Sequence, residues 1–174
     1  MTMQRSAEIS ACGRYRYRLD RQWRPSSRTC VFVMLNPSTA DAEQDDPTIR
    51  RCVGFATQWG CGRLVVVNLF GLRATNPREL YSSSIDPIGP ENDNHLLRAA
   101  EETWDVDESS CGIVVCAWGN HGALHGRGDH VRRLLEREHF TPRVLRLTAA
   151  GQPPHPLYLP RTLTPNPWTG EEAR

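Results

Sequence analysis

The sequence predicts an α/β fold, a three-layer αβα sandwich around a four-stranded parallel sheet. Three observations carry that expectation. First, four short runs are almost continuously apolar: "CVFVML", "RLVVVNLF", "GIVVCAWG" and "RVLRLT". Strands of this composition are covered on both faces, as in parallel sheets. Second, the runs alternate with stretches of helical period, the order of β–α–β units. Third, 174 residues suit one domain, 1–174, with a core large enough to stand alone.

The elements follow in chain order. "RYRYRL" (Arg14 to Leu19) alternates with period two, as a strand with one wet face does. Residues 1–29 therefore form an N-terminal strand and a basic, aromatic segment. Cys30 to Leu35 is the first buried strand. Asp46 and Pro47 start a helix, a carboxylate cap followed by Pro at the first position. Ile49, Cys52, Val53, Ala56 and Trp59 give that helix its apolar stripe, and Gly60 ends it. Arg63 to Phe70 is the second buried strand. "NPRELY" is a short helix at most, "SIDPIGPENDN" is a loop, and a helix covers His95 to Trp104. Gly112 to Gly119 is the third strand. Val131, Leu134, Leu135 and Glu138 belong to a helix that starts after Gly119. Arg143 to Thr148 is the fourth strand. Residues 151–174 are Pro-rich with no period, a loop and tail laid over the surface.

The formal charge is +1, which argues against attachment to nucleic acid by bulk charge but leaves room for a local basic face. No apolar run is long enough to span a bilayer, and "MTMQRSAEIS" lacks the apolar centre of a signal peptide. A cytoplasmic monomer is the natural reading. The six cysteines are then thiols, and Cys111 and Cys116, bracketing "GIVV", pack as buried inert groups. No CxxC pair occurs, so neither a metal nor a cofactor is expected.

In open α/β sheets ligands bind beyond the carboxyl ends of the strands. Strand one ends in "NPSTAD", Asn36 to Asp41. Strand two ends in Asn68. Strand three ends in Trp118, Gly119, Asn120, His121 and Gly122, and strand four leads to His155 in "PPHPLYLP". Each feature alone has an ordinary structural role, as a turn former or an exposed loop residue. Together, at one edge of one sheet, they make a polar recognition cleft.

Their order and spacing resemble the uracil-DNA glycosylase superfamily. "LNPS" is similar to its first motif, "VVVN" to the strand ending in a base-reading Asn, "CAWGNHG" to its third strand end, and "HPLYLP" to its last motif. The resemblance covers roughly Val31 to Pro160. The chain is also similar to a bacterial and phage domain family of unknown function marked by "LNPSTAD…DPT". The first resemblance implies a uracil-DNA glycosylase-like fold and excision of a base flipped out of DNA. Some relatives of that type act in phage defence on modified viral bases.

The resemblance implies roles for particular residues. Asn36 holds the attacking water. An amide cannot take its proton, so Asp41, Asp45 or Asp46 supplies the carboxylate; Asp46 is needed as a helix cap, which leaves Asp41. Asn68 reads the base, and His155 supports the departing pyrimidine oxygen, as a neutral or charged donor. Pro37, Ser38, Thr39, Asn68 and Phe70 are the expected substrate contacts. Gly119, Asn120, His121, Leu157, Tyr158 and Arg161 are the expected DNA contacts, with Leu157 and Tyr158 as wedge candidates. Many uracil enzymes carry a bulky aromatic after the first-motif Pro. Here Ser38 stands there, which leaves room for a 5-substituted pyrimidine such as hydroxymethylated or glucosylated cytosine.

Two further readings concern the basic residues. In "RYRYRLDRQWR", Arg14, Arg16 and Arg18 would share one strand face and grip phosphates, or line a solvated edge strand. The sequence contains no Lys at all, so a Schiff base through a Lys side chain is excluded and an abasic site is the expected product. The expected activity is a monofunctional DNA glycosylase on double- or single-stranded DNA. The alternatives are an N-glycosidase or transferase on free nucleosides or nucleotides, and a non-catalytic binder of a modified base.

Overall fold

The computed structural model describes residues 2–25, 28–38, 40–82, 84–104 and 112–169. Thr39 and Cys111 lie outside the described residues. The strands are β1 (Gln4–Ile9), β2 (Arg16–Gln22), β3 (Thr29–Met34), β4 (Arg63–Asn68), β5 (Ile113–Cys116), β6 (Arg143–Val144) and β7 (Asn166–Pro167). The helices are α1 (Pro47–Gln58), α2 (Glu79–Ser82), α3 (Asn92–Glu101) and α4 (Arg127–Arg137).

The fold is mixed α/β, with a sheet larger than the four strands expected. It has seven strands in the order β1-β2-β4-β3-β5-β6-β7. The four expected strands correspond to β3, β4, β5 and β6, the last shortened from Arg143–Thr148 to Arg143–Val144, and they pair in parallel as β4-β3-β5-β6. The sheet then continues in antiparallel pairing, through β2 and β1 at one edge and β7 at the other. β1 reads "QRSAEI" and is almost wholly exposed, so no apolar pattern announces it. The C-terminal segment is more than a surface tail: β7 pairs with β6, and Trp168 is buried against Trp118.

The side-chain period of two sorts the sheet into two core faces. Val31, Val33, Val65 and Val67 pack under Leu96 and Ala99 of α3 and Val131 and Leu135 of α4. Cys30, Phe32, Leu64 and Val66 pack under Ile49, Cys52 and Phe55 of α1. Each of these fully buried Phe and Ile side chains contributes roughly 2 kcal/mol of transfer free energy. The cap of α1 is as expected: Asp46 accepts from the Ile49 N–H at 2.8 Å, and Pro47 follows it. Gly60 closes the helix at φ +80°, the left-handed region that glycine enters without strain.

From β3 the chain crosses through α1 to β4 on one side, then through α3 to β5 on the other side. The connection out of β3 therefore runs over one face to β4, while the connection out of the neighbouring β5 runs through α4 over the other face to β6. A crevice opens at the carboxyl ends of two such neighbouring strands.

β2 departs most from expectation. It is an internal strand, and its residues from Arg16 to Arg21 are all buried. Its pairing with β1 passes from Glu8 opposite Arg18 to Ile9 opposite Arg16, skipping Tyr17. A one-residue bulge of this kind reverses the side-chain alternation. Tyr15 and Tyr17 therefore join the core under α3, Leu19 joins the core under α1, and Arg16 turns toward the start of α1. Arg14 is exposed, so Arg14, Arg16 and Arg18 do not form one basic face.

Of the cysteines, Cys30, Cys52, Cys61 and Cys116 are buried thiols, as expected, whereas Cys12 is exposed. Burial pushes the Cys52 and Cys116 thiols well above the usual range, which makes them inert. Among the described residues, no helix is long and apolar enough to cross a membrane.

Candidate functional site

A cleft of ≈ 570 Å³ opens at the carboxyl edge of β3, β4 and β5. That volume lies within the usual range for small-molecule sites, about 300–1,000 Å³. Its floor is Arg16, Met34, Leu35, Ile49, Asn68 and Trp118, all buried. Its walls are Asn36, Ser38, the start of α1 from Asp46 to Thr48, Gly119 and His155. Thr75, Pro77, His121, Leu157 and Tyr158 form the rim.

Asn68 is the most telling of these residues. It is 1 % exposed, and neither its Nδ2 nor its Oδ1 has a hydrogen-bond partner among the described residues. A buried amide left unpaired costs about 1–3 kcal/mol per group, so native proteins rarely tolerate one. Its backbone is held firmly: the Asn92 amide donates to the Asn68 carbonyl at 2.9 Å and to the Leu69 carbonyl at 3.1 Å. Arg127 Nε adds a further bond to the Leu69 carbonyl at 2.9 Å. The strand end is thus fixed while its side chain keeps a free donor and a free acceptor.

Asn36 is oriented by its own amide hydrogens. Nδ2 donates to the Ala74 carbonyl at 2.7 Å and to the Pro37 carbonyl at 3.1 Å. That spends both donors, and no described residue donates to Oδ1. The oxygen is the group left for a ligand or a water. Pro37 itself is buried and does not line the cleft; its carbonyl also accepts from the Ala74 N–H at 3.0 Å.

Two carboxylates exchange the places expected of them. Asp41 is outside the cleft: its Oδ1 accepts from the Glu43 and Gln44 N–H groups, both at 2.8 Å, and closes a turn. Those bonds hold its carboxyl below the usual range. Asp46 lines the cleft even though it caps α1, since the cap uses one oxygen and leaves the other. The turn between them is pinned from below by β2. Arg21 donates to Asp45 at 2.6 Å and to the Asp41 carbonyl at 2.6 Å, and Arg16 Nη1 donates to the Ala40 carbonyl. Asp45 is spent on this anchoring.

His155 stands at the head of a short 3₁₀ turn, Pro156–Tyr158, and its Nδ1 accepts from the Leu157 N–H at 3.3 Å. Nδ1 is therefore unprotonated, and the proton of the neutral ring sits on Nε2. Burial lowers its pKa, with Asp46 opposing the shift, so the ring is neutral at physiological pH.

The remaining expected contacts divide. Leu157 and Tyr158 line the cleft, and Tyr158 is 80 % exposed at its mouth. His121 lines the rim, with its Nδ1 3.0 Å from the Tyr81 hydroxyl. Gly119 lines the wall at φ +75° and ψ −177°, a conformation nearly confined to glycine. Its N–H donates to the Pro153 carbonyl at 2.7 Å, and the Gly122 N–H donates back to Gly119 at 3.0 Å, so neither is available to a phosphate. Asn120 faces away, accepting from the Thr148 hydroxyl at 2.7 Å. Phe70 is a core residue, 1 % exposed, and does not reach the cleft. Arg161 is exposed and does not line it either.

Two residues named from the sequence, though not as catalytic or substrate contacts, lie in the cleft floor. Trp118 forms part of the floor, with Nε1 donating to Gln152 at 2.8 Å. Its indole lies so close to Gly122 that a Cβ there would sit 1.9 Å from the ring. Arg16 is the other, and the alternation that suggested a wet face hid it.

A cleft at the switch point of its sheet, with an unpaired amide in its floor, makes this a mixed α/β domain with a candidate site at the strand ends. The chain belongs to the DUF1643 family, described as a protein of unknown function, whose model matches residues 16–157. That span contains β2 to α4, Asn36, Asn68, Trp118 and His155. No curated protein and no solved structure is found to match the chain.

Proposed function

We propose that the cleft excises a base by hydrolysing its N-glycosidic bond, in a uracil-DNA glycosylase-like fold, most simply as a monofunctional DNA glycosylase for a modified pyrimidine. The observation that carries this reading is the Asn68 amide. Its unpaired donor and acceptor sit side by side on the cleft floor, the complement of a nucleobase edge.

The surrounding groups suit the reaction. Asn36 Oδ1 orients a water. The free oxygen of Asp46, in place of Asp41, takes the proton as the water oxygen bonds to C1′. The C1′–N bond breaks with its electron pair left on the base, and His155 Nε2–H donates to the pyrimidine oxygen that gains negative charge. Ser38 in the wall leaves room for a substituent at the pyrimidine 5 position. Tyr158 at the mouth is placed to enter the gap left by a flipped nucleotide. An anti-phage role follows from this reading if the substituent is one that viruses add.

The test is mass spectrometry of bases released from DNAs carrying uracil, hydroxymethylcytosine and glucosylated hydroxymethylcytosine, with alkaline cleavage at abasic sites. Release of a substituted cytosine, lost in Asn36→Ala and Asn68→Ala, is the expected result. Release of uracil alone would overturn the substituted-base assignment, and no release from any DNA would overturn DNA excision.

A second reading, hydrolysis of free nucleosides or nucleotides, is favoured by one observation. Among the described residues the rim carries no arginine, and the one guanidinium lining the cleft is on its floor. Incubation with free nucleosides separates the two readings.

A further inference from the structure

We propose that Arg16 is the counter-charge for a negatively charged heterocyclic ring at the cleft floor, the departing base of the excision reaction. The inference rests on the base-excision reading and adds to it a residue and a charge.

Arg16 is 3 % exposed and lines the cleft. Its Nη1 donates to the Ala40 carbonyl, while its Nε is buried without a partner. Among the described residues, no carboxylate lies within ion-pair distance of it. Burial brings its pKa down to about 10, with Asp46 opposing the shift, so it remains a cation at neutral pH. A buried cation without a carboxylate is costly, and proteins rarely keep one unless something else supplies the negative charge. The neighbouring buried arginines of the same strand show the ordinary solution. Arg18 is paired with Asp20 and Glu102, and Arg21 with Asp45. The bulge at Tyr17 turns Arg16 alone into the cleft.

The chemistry of the floor selects the kind of anion. A phosphate is usually cradled by several N–H donors. Here the guanidinium and the unpaired Asn68 amide are flanked by Met34, Leu35, Ile49 and Trp118, an apolar and aromatic surface suited to a flat ring. The matching ligand is planar, with acceptor atoms on its edge and a negative charge delocalised over them. A base leaving C1′ with the bonding electron pair is such a species. Arg16 stabilises that charge without giving up a proton; the departing base is protonated afterwards by solvent.

The test compares two planar pyrimidine rings at pH 7 by calorimetry: barbiturate, which is an anion there and carries one more exocyclic oxygen, and uracil, which is neutral. Wild-type protein binds barbiturate at least about tenfold tighter, the size expected of a charge-assisted contact. Arg16→Gln removes that preference and Arg16→Lys retains part of it, with thermal unfolding confirming that both variants fold. If Arg16→Gln does not fold, the wild-type preference and its reduction in Arg16→Lys decide. Equal affinity of wild-type protein for the two rings overturns the proposal, and so does a preference that survives in folded Arg16→Gln. Base release from DNA reads the excision hypothesis separately. An Arg16-dependent preference without base release keeps the anion site and removes excision. Base release without a preference removes the role of Arg16 alone.

Discussion

Arg16 and Arg18 lie two residues apart on β2 and are both buried, yet their guanidinium groups meet opposite surroundings. Arg18 binds Asp20 through Nε at 2.6 Å and Nη2 at 2.8 Å, and Glu102 through Nη1 at 2.6 Å and Nη2 at 2.7 Å. Arg63 closes the network, reaching Asp20 at 2.6 Å and Glu102 at 2.8 Å. Arg16 has one main-chain carbonyl and an unpaired Nε. A partial contrast separates two asparagines: the Asn92 Nδ2 is spent on backbone carbonyls and only its Oδ1 lacks a partner among the described residues, whereas both ends of the Asn68 amide lack one. The Arg18 network is satisfied by itself. The cleft floor is left incomplete at Arg16 and Asn68, and incompleteness held in a rigid frame is what a binding site requires.

The largest expected difference is in stability. Arg18→Met leaves Glu102 and Asp20 short of a partner in a buried network, and about 3 kcal/mol of unfolding free energy is lost. Arg16→Met removes a cation that makes no ion pair with the described residues, so its stability stays within about 1 kcal/mol of wild type. Urea unfolding of the two variants makes the comparison directly. Equal losses would mean that Arg16 is as structural as Arg18.

Asn68→Ala sharpens the contrast from the functional side. Base release, or binding of a free base, drops by roughly a hundredfold or more, because a matched pair of hydrogen bonds at the base edge is gone. Unfolding free energy changes by less than about 1 kcal/mol, since no protein contact of the amide is lost. A large stability loss with little effect on ligand would turn Asn68 into a core residue. Gly122→Ala acts on the cleft through its floor. The new Cβ collides with the Trp118 indole and must push it from its bond to Gln152. A destabilisation of about 2 kcal/mol is expected, with altered tryptophan fluorescence.

The parallel part of this sheet was legible because β3, β4 and β5 carry unbroken apolar runs. The start of α1 was legible because Asp46-Pro47 satisfies a local capping rule. Asn36, Asn68 and His155 were found because they end strands or follow them, and strand ends converge. β1 was not legible, since an exposed edge strand buries too little to impose a pattern. Arg16 was misplaced for a subtler reason. Alternation assumes an unbroken pleat, and the skipped Tyr17 depends on pairing with a strand the sequence does not reveal. Asp46 was set aside because a capping role was taken to exhaust it, although a carboxylate has two oxygens. The choice of Asp41 failed on local turn chemistry.

The smallest effect concerns pH, and it separates the two regions by where each titrates. In the paired network, burial raises the Asp20 carboxyl but bonds from Arg18 and Arg63 outweigh it, so its pKa falls below the usual 3.8. Its contribution to stability is present above that value and is lost as pH falls through the lower folded value. His155 titrates earlier. Its folded pKa is depressed below 6.5, so as pH falls below 6.5 the unfolded chain takes up a proton that the folded ring refuses. Stability then declines gently from about pH 6.5 downward, ahead of the steeper loss below pH 4. In urea midpoints measured across pH, His155→Gln removes the first decline and leaves the second. Asp20→Asn is less stable at neutral pH and flattens the second while leaving the first. If His155→Gln leaves the shallow limb unchanged, the imidazole is not held neutral by burial, and its Nε2–H ceases to be a donor peculiar to the neutral ring.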